Sequence, residues 1–292
     1  MLQRLQDIGG RIFMNKLSKA FEKGKAFIPF VTAGDPDLET TEKVILAMAE
    51  VGADLIEIGI PFSDPVAEGL VIQKADERAL ASGTTTDKIF DMVKSIRAKT
   101  DIPLAFMTYI NPIFVYGSER FIKNSKECGI DALIVPDLPF EEKNELSGLC
   151  KANDVRLISL VAPTSHERIA TIAKEAEGFV YVVSSLGVTG VRSEIKTDIG
   201  EMVKLIKQAK DIPCAVGFGI STPEQAANMA KLSDGAIVGS AVVRIIEKYG
   251  KESVMPVADY VKEMADAVHN ICLLYTSPSP RDYAASRMPS SA

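Results

Sequence analysis

Asp54-Leu55-Ile56-Glu57-Ile58-Gly59-Ile60-Pro61-Phe62-Ser63-Asp64-Pro65-Val66-Ala67-Glu68-Gly69 reads as a buried strand with an acid inside it, followed by an acidic loop rich in proline and glycine. An ionised carboxylate is costly to bury, so an unpaired acid in an aliphatic run signals a function or a raised pKa. The bland alternative is that Glu57 points outward into a salt bridge with a flanking helix. Its place at the C-terminal end of the run, beside Asp64 and Glu68, favours the functional reading.

Outward from that strand, short apolar runs alternate with amphipathic segments along the chain. The expected strands are Ala26–Thr32, Leu55–Gly59, Leu104–Tyr109, Ala132–Pro136, Arg156–Val161, Phe179–Ser184, Cys214–Gly217 and Ala236–Gly239. Their apolar density fits strands buried on both faces of a parallel sheet. Helical patterns separate them at Leu38–Val51, Thr86–Lys99, Ser118–Cys128, Glu141–Ala152, His166–Ala176, Ile199–Ala209 and Pro223–Lys231, with Ser240–Tyr249 and Glu252–His269 closing the chain. Asp35-Pro36-Asp37 and Ser221-Thr222-Pro223-Glu224 are helix starts, each with a capping residue and an early proline. Eight βα units predict an α/β fold of the (β/α)₈ TIM-barrel type, with an open doubly wound sheet as the alternative. A barrel places its site at the C-terminal ends of the strands, where Glu57, Tyr109, Asp137, Tyr181 and Gly219 all fall.

With 292 residues, 47% of them hydrophobic and 25% charged, the chain has the composition of a soluble globular protein with a large core. Length would allow two domains, but an α/β barrel commonly fills about 250 residues as one. A net charge of -6 and the absence of a Lys/Arg-rich stripe argue against nucleic acid and against an anionic membrane surface. No apolar run reaches the roughly 18 to 20 residues that a bilayer requires, and no signal-peptide pattern opens the chain. Cys128, Cys150, Cys214 and Cys272 are scattered, and there are only two histidines, so a zinc site is not expected. The expected setting is a reducing cytoplasm with the thiols as core residues.

The two ends are set apart from this pattern. Residues 1–13 show no periodicity, and Met14 is the expected true start. Residues 271–292 are dense in Ser and Pro, carry no pattern able to support a packed element, and resemble translated adapter sequence. A single barrel domain is therefore expected over 14–270, between a non-native or disordered leader and a non-native, disordered tail.

Three glycine-bearing segments recur late in the chain: Gly187-Val188-Thr189-Gly190, Gly217-Phe218-Gly219-Ile220-Ser221 and Gly239-Ser240. Each follows a strand, and the last opens a helix. Glycine lets backbone N–H groups approach an anion closely, and a helix N-terminus adds a favourable dipole. A lone glycine more often just makes a turn, but three after consecutive strands point to phosphate. No GxxxxGK[ST] motif is present, so a nucleoside triphosphate is not implied.

Taken together, these motifs make the chain resemble the alpha subunit of tryptophan synthase, over about Met14 to His269. The resemblance rests on Phe27-Ile28-Pro29-Phe30-Val31-Thr32-Ala33-Gly34-Asp35-Pro36, Glu57 through Gln73, Thr108-Tyr109-Ile110-Asn111-Pro112, Pro136-Asp137-Leu138-Pro139, Ser184-Ser185-Leu186-Gly187-Val188-Thr189-Gly190 and Gly217-Phe218-Gly219-Ile220-Ser221. It implies a (β/α)₈ barrel and a carbon–carbon lyase that splits indole-3-glycerol phosphate into indole and glyceraldehyde 3-phosphate by retro-aldol cleavage. It implies Glu57 as general acid/base and Glu68 as the carboxylate beside the ring N–H. Gly190, Gly219, Gly239 and Ser240 match its phosphate grip. Phe30, Tyr109, Tyr181 and Phe218 match residues around the substrate, Thr189 lies on a loop that closes over it, and Asp64 matches a residue that passes signals between subunits. It further implies an αββα assembly with a beta subunit, whose pyridoxal phosphate is that partner's own; no cofactor and no metal are expected here.

The chemistry asks for the same parts. An acid that must give and then take a proton benefits from a pKa lifted by apolar neighbours such as Leu55. The second carboxylate should stay ionised beside a developing indolenium, and the remote phosphate supplies binding energy and orientation. The chain departs from the resemblance where many members carry aspartate at the Glu68 position, proline at that of Leu70, and in some cases arginine at that of Ser185. A loop without that proline is freer to move. Asp64 and Asp137 also fit loop-capping or other structural roles, and Tyr109 and Tyr181 could equally be core aromatics. Rival readings are another phosphosugar barrel, such as a phosphosugar isomerase or an indole-glycerol-phosphate synthase, a non-catalytic allosteric partner of the beta subunit, and a standalone indole producer.

Overall fold

A computed structural model of the chain describes residues 16–183, 199–217 and 219–276, without the side chains of 272–276. Nine strands are described: β1 Ala26–Thr32, β2 Ile56–Gly59, β3 Leu104–Met107, β4 Ala132–Ile134, β5 Arg156–Leu157, β6 Ser159–Val161, β7 Val180–Val183, β8 Cys214–Gly217 and β9 Gly235–Val238. All are parallel, in the order β5-β4-β3-β2-β1-β9-β8-β7-β6. The two edges of this sheet are halves of one strand interrupted at Ile158, whose N–H bonds Leu133 O at 2.9 Å. β5 pairs with β4 and β6 with β7, so the expected run Arg156–Val161 closes the sheet on itself. The result is a barrel of eight staves, as the alternating pattern predicts.

Twelve α-helices accompany the strands among the described residues: α1 Lys16–Glu22, α2 Leu38–Glu50, α3 Leu70–Ala81, α4 Thr86–Arg97, α5 Ile110–Tyr116, α6 Ser118–Cys128, α7 Asn144–Ala152, α8 His166–Glu175, α9 Ile199–Ala209, α10 Pro223–Leu232, α11 Ser240–Tyr249 and α12 Val254–Thr276. Both expected caps form. The Asp37 side chain accepts from Thr40 N at 2.8 Å, and Thr222 and Gln225 make a reciprocal capping box ahead of Pro223. Helices α1, α3 and α5 lie outside the helical patterns of the sequence, and α12 continues past the boundary expected at 270. Helix α1 closes the barrel's N-terminal mouth. Its Leu17, Ala20 and Phe21 pack against Ile28, Leu55, Ile158 and Phe179 of the interior, with the Phe21 and Phe179 rings 5.7 Å apart.

The N-terminal ends of the strands carry a device repeated three times. Asp54, Asp131 and Asp234 each stand just before a strand. The carboxylate of each accepts from a backbone N–H at the start of the preceding stave: Phe27 at 2.8 Å, Leu104 at 3.0 Å and Cys214 at 2.8 Å. Each aspartate's own N–H bonds the carbonyl of that same residue. A basic side chain from a helix completes each clamp: His269 at 2.7 Å, Arg97 at 3.0 Å and Lys207 at 2.7 Å. Arg97 is the most deeply set. Its guanidinium also donates to Gly129 O and Ile102 O, tying α4 and the C-terminus of α6 to the start of β3 and β4. Removing it leaves Asp131 as a buried charge without a counter-ion. Arg97→Ala is expected to lower stability by about 3 kcal/mol in urea unfolding, and a loss below about 0.5 kcal/mol would show that the clamp holds nothing.

Candidate active site

Side chains alternate along a barrel strand, so one face of each stave lines the interior and the other meets the helices. Leu55 and Ile28 belong to the interior, whereas Ile56 and Ile58 pack outward against helices. Glu57 therefore points inward, and the outward salt bridge is not made. Its side chain is fully buried, and neither carboxyl oxygen has a hydrogen-bond partner among the described residues. Burial alone lifts its pKa to about 8. Unpartnered buried oxygens gather at this end of the barrel: Thr32 Oγ1 at the end of β1, both oxygens of Glu57, Thr108 Oγ1 after β3, and Glu68 Oε2 on the loop after β2. Buried polar groups usually find partners, so this clustering marks a place prepared for a bound molecule.

Register brings the aromatic residues to the same mouth. Phe30 pairs across β1 and β2 with Glu57. Burial, then the charge of Glu57 once that group is ionised, pushes the phenol of Tyr181 on β7 well above the ordinary range. Each ring lies over a glycine of the next stave. A Cβ on Gly59 would come within 2.5 Å of Phe30 Cζ, and one on Gly217 within 2.5 Å of Tyr181 Oη. Phe30 also lies against Gly239, where a Cβ would meet it at 3.5 Å. β8 and β9 pair at Gly217 and Ile237, so Gly219 and Gly239 both follow the sheet at its C-terminal end. Gly219 has a φ of +74° that favours glycine, and Gly239 caps α11, where Ser240 begins the helix.

The acidic loop folds back over this mouth. Tyr109 is 2% exposed, its ring lies tilted 5.5 Å from that of Phe62, and its hydroxyl accepts from Ala67 N at 3.0 Å. This latches the loop onto the start of α5. Burial, then the charge of Glu68, pushes the Tyr109 phenol upward. The Glu68 carboxyl lies within hydrogen-bonding reach of the side chains of Asp76 and Tyr109, and burial raises its pKa. Gln73 holds the Glu68 carbonyl at 2.8 Å. Asp64 stays exposed, bonded among the described residues to its neighbour Ser63, and is not drawn into the barrel. Asp137 accepts from Ile110 N at 3.0 Å and so supports the start of α5, the structural alternative for that residue. Thr189, Gly190 and Phe218 lie outside the described residues. Among the described residues no cluster of histidine, cysteine, aspartate and glutamate is arranged to hold a metal, and no helix is long and apolar enough to cross a membrane.

Asp76 is the site residue that sequence reading missed. It is 4% exposed and lies on the buried stripe of α3 with Ile72, Ala75 and Ala79. Burial, then the charge of Glu68, lifts its pKa to about 8. The available signal was the one that identified Glu57, an acid on an otherwise apolar face. On α3 it was muted because the acid itself weakens the helical pattern that would reveal the face.

Comparison with known proteins places this geometry. The sequence model of the family described as tryptophan synthase alpha chain matches residues 16–269. The tryptophan synthase alpha chain of Thermoanaerobacter pseudethanolicus is 51% identical over 248 residues, covering 83% of this chain and 95% of the relative. That of Lacticaseibacillus casei is 45% identical over 257 residues, covering 88% and 97%. Among solved structures, tryptophan synthase subunit alpha from Legionella pneumophila superposes with a TM-score of 0.79 at 37% identity, over 88% of this chain and 99% of that one. A chain from a structure of the tryptophan synthase a2b2 complex of Pyrococcus furiosus does so with 0.75 at 37%, over 82% and 98%.

The raised pKa of Glu57 has a consequence for stability. From the ordinary 4.5 up to about 8, the folded chain holds a proton at Glu57 that the unfolded chain has lost. Stability must therefore fall as pH rises through that window. Glu57→Gln removes this contribution. Urea unfolding at about pH 5 and about pH 7 is expected to show the variant gaining on the parent, by at most about 1.4 kcal/mol per pH unit. Parallel pH dependences for the two proteins would mean that Glu57 ionises normally.

Proposed function

This chain belongs to the tryptophan synthase alpha chain family and catalyses its alpha reaction, the retro-aldol cleavage of indole-3-glycerol phosphate to indole and glyceraldehyde 3-phosphate; we propose that Glu57 and Glu68 carry that reaction. The observation that supports this most is Glu57 itself, a buried, unpartnered carboxyl at the C-terminal mouth of the barrel, with its pKa near neutrality. Protonated, it donates to the ring carbon that bears the glycerol chain, converting the indole into a cationic indolenium. As a carboxylate, it then takes the proton of the neighbouring hydroxyl. The carbon–carbon bond breaks, its electron pair restores the ring, the hydroxyl carbon becomes the aldehyde, and Glu57 is left protonated as it began. A pKa near the working pH suits both halves of this cycle.

Glu68 faces the ring N–H in this reading and stabilises the charge that develops there. A fixed negative group in a water-poor site is worth more than the same group in solvent. Gly219, Gly239 and Ser240, with Gly190, would hold the phosphate through backbone N–H groups at the start of α11, where the helix dipole favours an anion. Phe30, Tyr109, Tyr181 and Phe218 would enclose the indole and glycerol parts, with Thr189 on a covering loop. Asp64, at the solvent-facing edge of the acidic loop, suits a regulatory role better than a catalytic one.

The partner is a tryptophan synthase beta subunit; neighbouring structures are of such complexes, one described as a2b2. An apolar surface around the site mouth suits this partner: Val66 on the acidic loop and Leu70 at the start of α3 are 69% and 72% exposed, and Val115 on α5 is 81% exposed. In this reading the chain uses no cofactor of its own, pyridoxal phosphate belonging to the beta subunit, and it works in the cytoplasm.

Indole release from indole-3-glycerol phosphate, with the beta subunit present, tests the assignments. Glu57→Gln is expected to lower turnover by about three orders of magnitude, with substrate-analogue affinity within a few-fold. A fully active variant would remove Glu57 from the mechanism. Glu68→Asp is expected to keep turnover within about tenfold and Glu68→Asn to lose about a hundredfold or more. Equal behaviour of the two would mean that charge at this position is not what matters.

A further inference from the structure

Asp76 meets Glu68 in a setting that leaves no room for two charges. Its carboxyl group is fixed by one backbone donor, Phe62 N at the long distance of 3.4 Å from Oδ2. No lysine or arginine pairs with it among the described residues. The nearest guanidinium on its own helix, that of Arg78, is turned away. It bonds Asp35 through Nε and Nη2 at 2.8 Å each and Glu247 of α11 through Nη1 at 3.2 Å. The other side of Asp76 faces the Glu68 carboxyl, whose Oε2 is buried without a fixed donor. Two buried carboxyl groups in contact, with no cation between them, cannot both ionise near neutrality. A proton must sit between them, and it is the donor that the arrangement otherwise lacks.

The surroundings decide which carboxyl carries it. Glu68 has two side chains ready to donate to it, Tyr109 and a protonated Asp76, whereas Asp76 has one long bond from a backbone N–H. Asp35 adds negative charge on the Asp76 side, and Asp137 adds it near Tyr109. The charge therefore rests on Glu68 and the proton on Asp76.

We propose that Asp76 is a positioning residue for the alpha reaction: its carboxyl proton is donated to Glu68, which keeps the Glu68 carboxylate ionised and aimed at the ring N–H of the substrate. This rests on the reading of Glu68 given above. It also gives the longer glutamate side chain a second anchor besides Tyr109, which limits the rotamer freedom that would blur its aim. Loss of the shared proton makes the pair a dianion, and repulsion then drives the Glu68 carboxylate off its partner.

The experiment is the pH profile of kcat/KM for indole release by the complex with the beta subunit, for the parent, Asp76→Asn and Asp76→Ala. Glu57 and the shared pair both lose a proton on the alkaline side, each near pH 8. The parent is expected to fall about a hundredfold per pH unit there, the slope of two ionisations. In Asp76→Asn the carboxamide still donates to Glu68 but no longer titrates. Turnover at pH 7 should stay within about threefold of the parent while the slope drops to about tenfold per pH unit. Asp76→Ala should lose about tenfold or more in kcat with KM within a few-fold, because the anchor is gone. Parent-like kcat and slope in both variants would overturn the proposal, as would equal losses in both with the slope unchanged, which is the mark of a structural role. Glu68→Gln separates the two readings. If it keeps parent turnover, the assignment of Glu68 fails. If it abolishes turnover while both Asp76 variants behave like the parent, only the role of Asp76 fails. Carbon-13 carboxyl spectra of aspartate-labelled protein give a check without turnover. One aspartate should remain protonated at pH 7 in the parent and be missing in Asp76→Asn, and full ionisation of every aspartate at that pH would overturn the proposal.

Discussion

Placing a carboxyl group on the inward face of a closed parallel barrel removes it from water on every side, and Glu57 finds there neither a cation nor a hydrogen-bond donor among the described residues. Elsewhere in a fold this would be a defect, since an ionised group so placed has nothing to replace its hydration. The barrel accommodates it by keeping the group neutral near pH 7. Much of the surrounding architecture follows. Leu55 below it seals the interior, Gly59 and Gly217 leave the space in which Phe30 and Tyr181 lie over the mouth, and closure through the split strand Arg156–Val161 keeps solvent from entering through a sheet edge. An open sheet with the same strands would wet the carboxyl group and return its pKa toward 4.5.

The two ends of the barrel divide the work. At the N-terminal ends, Asp54, Asp131 and Asp234 are each satisfied by a backbone donor and a helix-borne basic side chain, so each half-buried carboxylate is matched. At the C-terminal ends the pattern reverses, and Thr32, Glu57, Glu68 and Thr108 present oxygen atoms with no partner among the described residues. Glu57 and the three aspartates all adjoin apolar strands in sequence. Whether such an acid stands before the strand or within it decides whether a backbone N–H can reach it. That single step in position separates a staple from a reactive group.

Much of this was legible in the chain. β1, β8, α6, α9 and α11 have the bounds that the pattern predicts, because continuous apolar runs delimit the strands and clear apolar stripes the helices. Helix α3 was hidden for a physical reason: its buried stripe contains Asp76, which dilutes the apolar period. Helix α1 is short, and its helical identity comes from packing into the barrel's base rather than from its own seven residues. The candidate site was legible where an acid broke a strand, at Glu57, and where glycines followed strands, at Gly219 and Gly239. It was illegible at Asp76, whose significance depends on a contact with Glu68 that only the folded loop creates.

The loop between β2 and α3 joins these levels. Its inward side carries Glu68, within reach of Tyr109 and Asp76, and its outward side carries Val66, with Leu70 following at the start of α3, both in solvent. Ala67 lies between them and bonds Tyr109 through its own N–H. The acid and the apolar surface are thus neighbours in a short, hydrogen-bonded segment whose far end enters α3 less than two turns before Asp76. A partner that presses on Val66 or Leu70 moves the peptide that Tyr109 grips, and through it the carboxylate that Tyr109 and Asp76 hold. In a loop lacking the fixed φ of a proline after Gly69, such pressure meets less backbone resistance. The side-chain bonds to Glu68 then bear more of the task of keeping it in place, and a second acid on α3 is where a chain with this loop would be expected to anchor it.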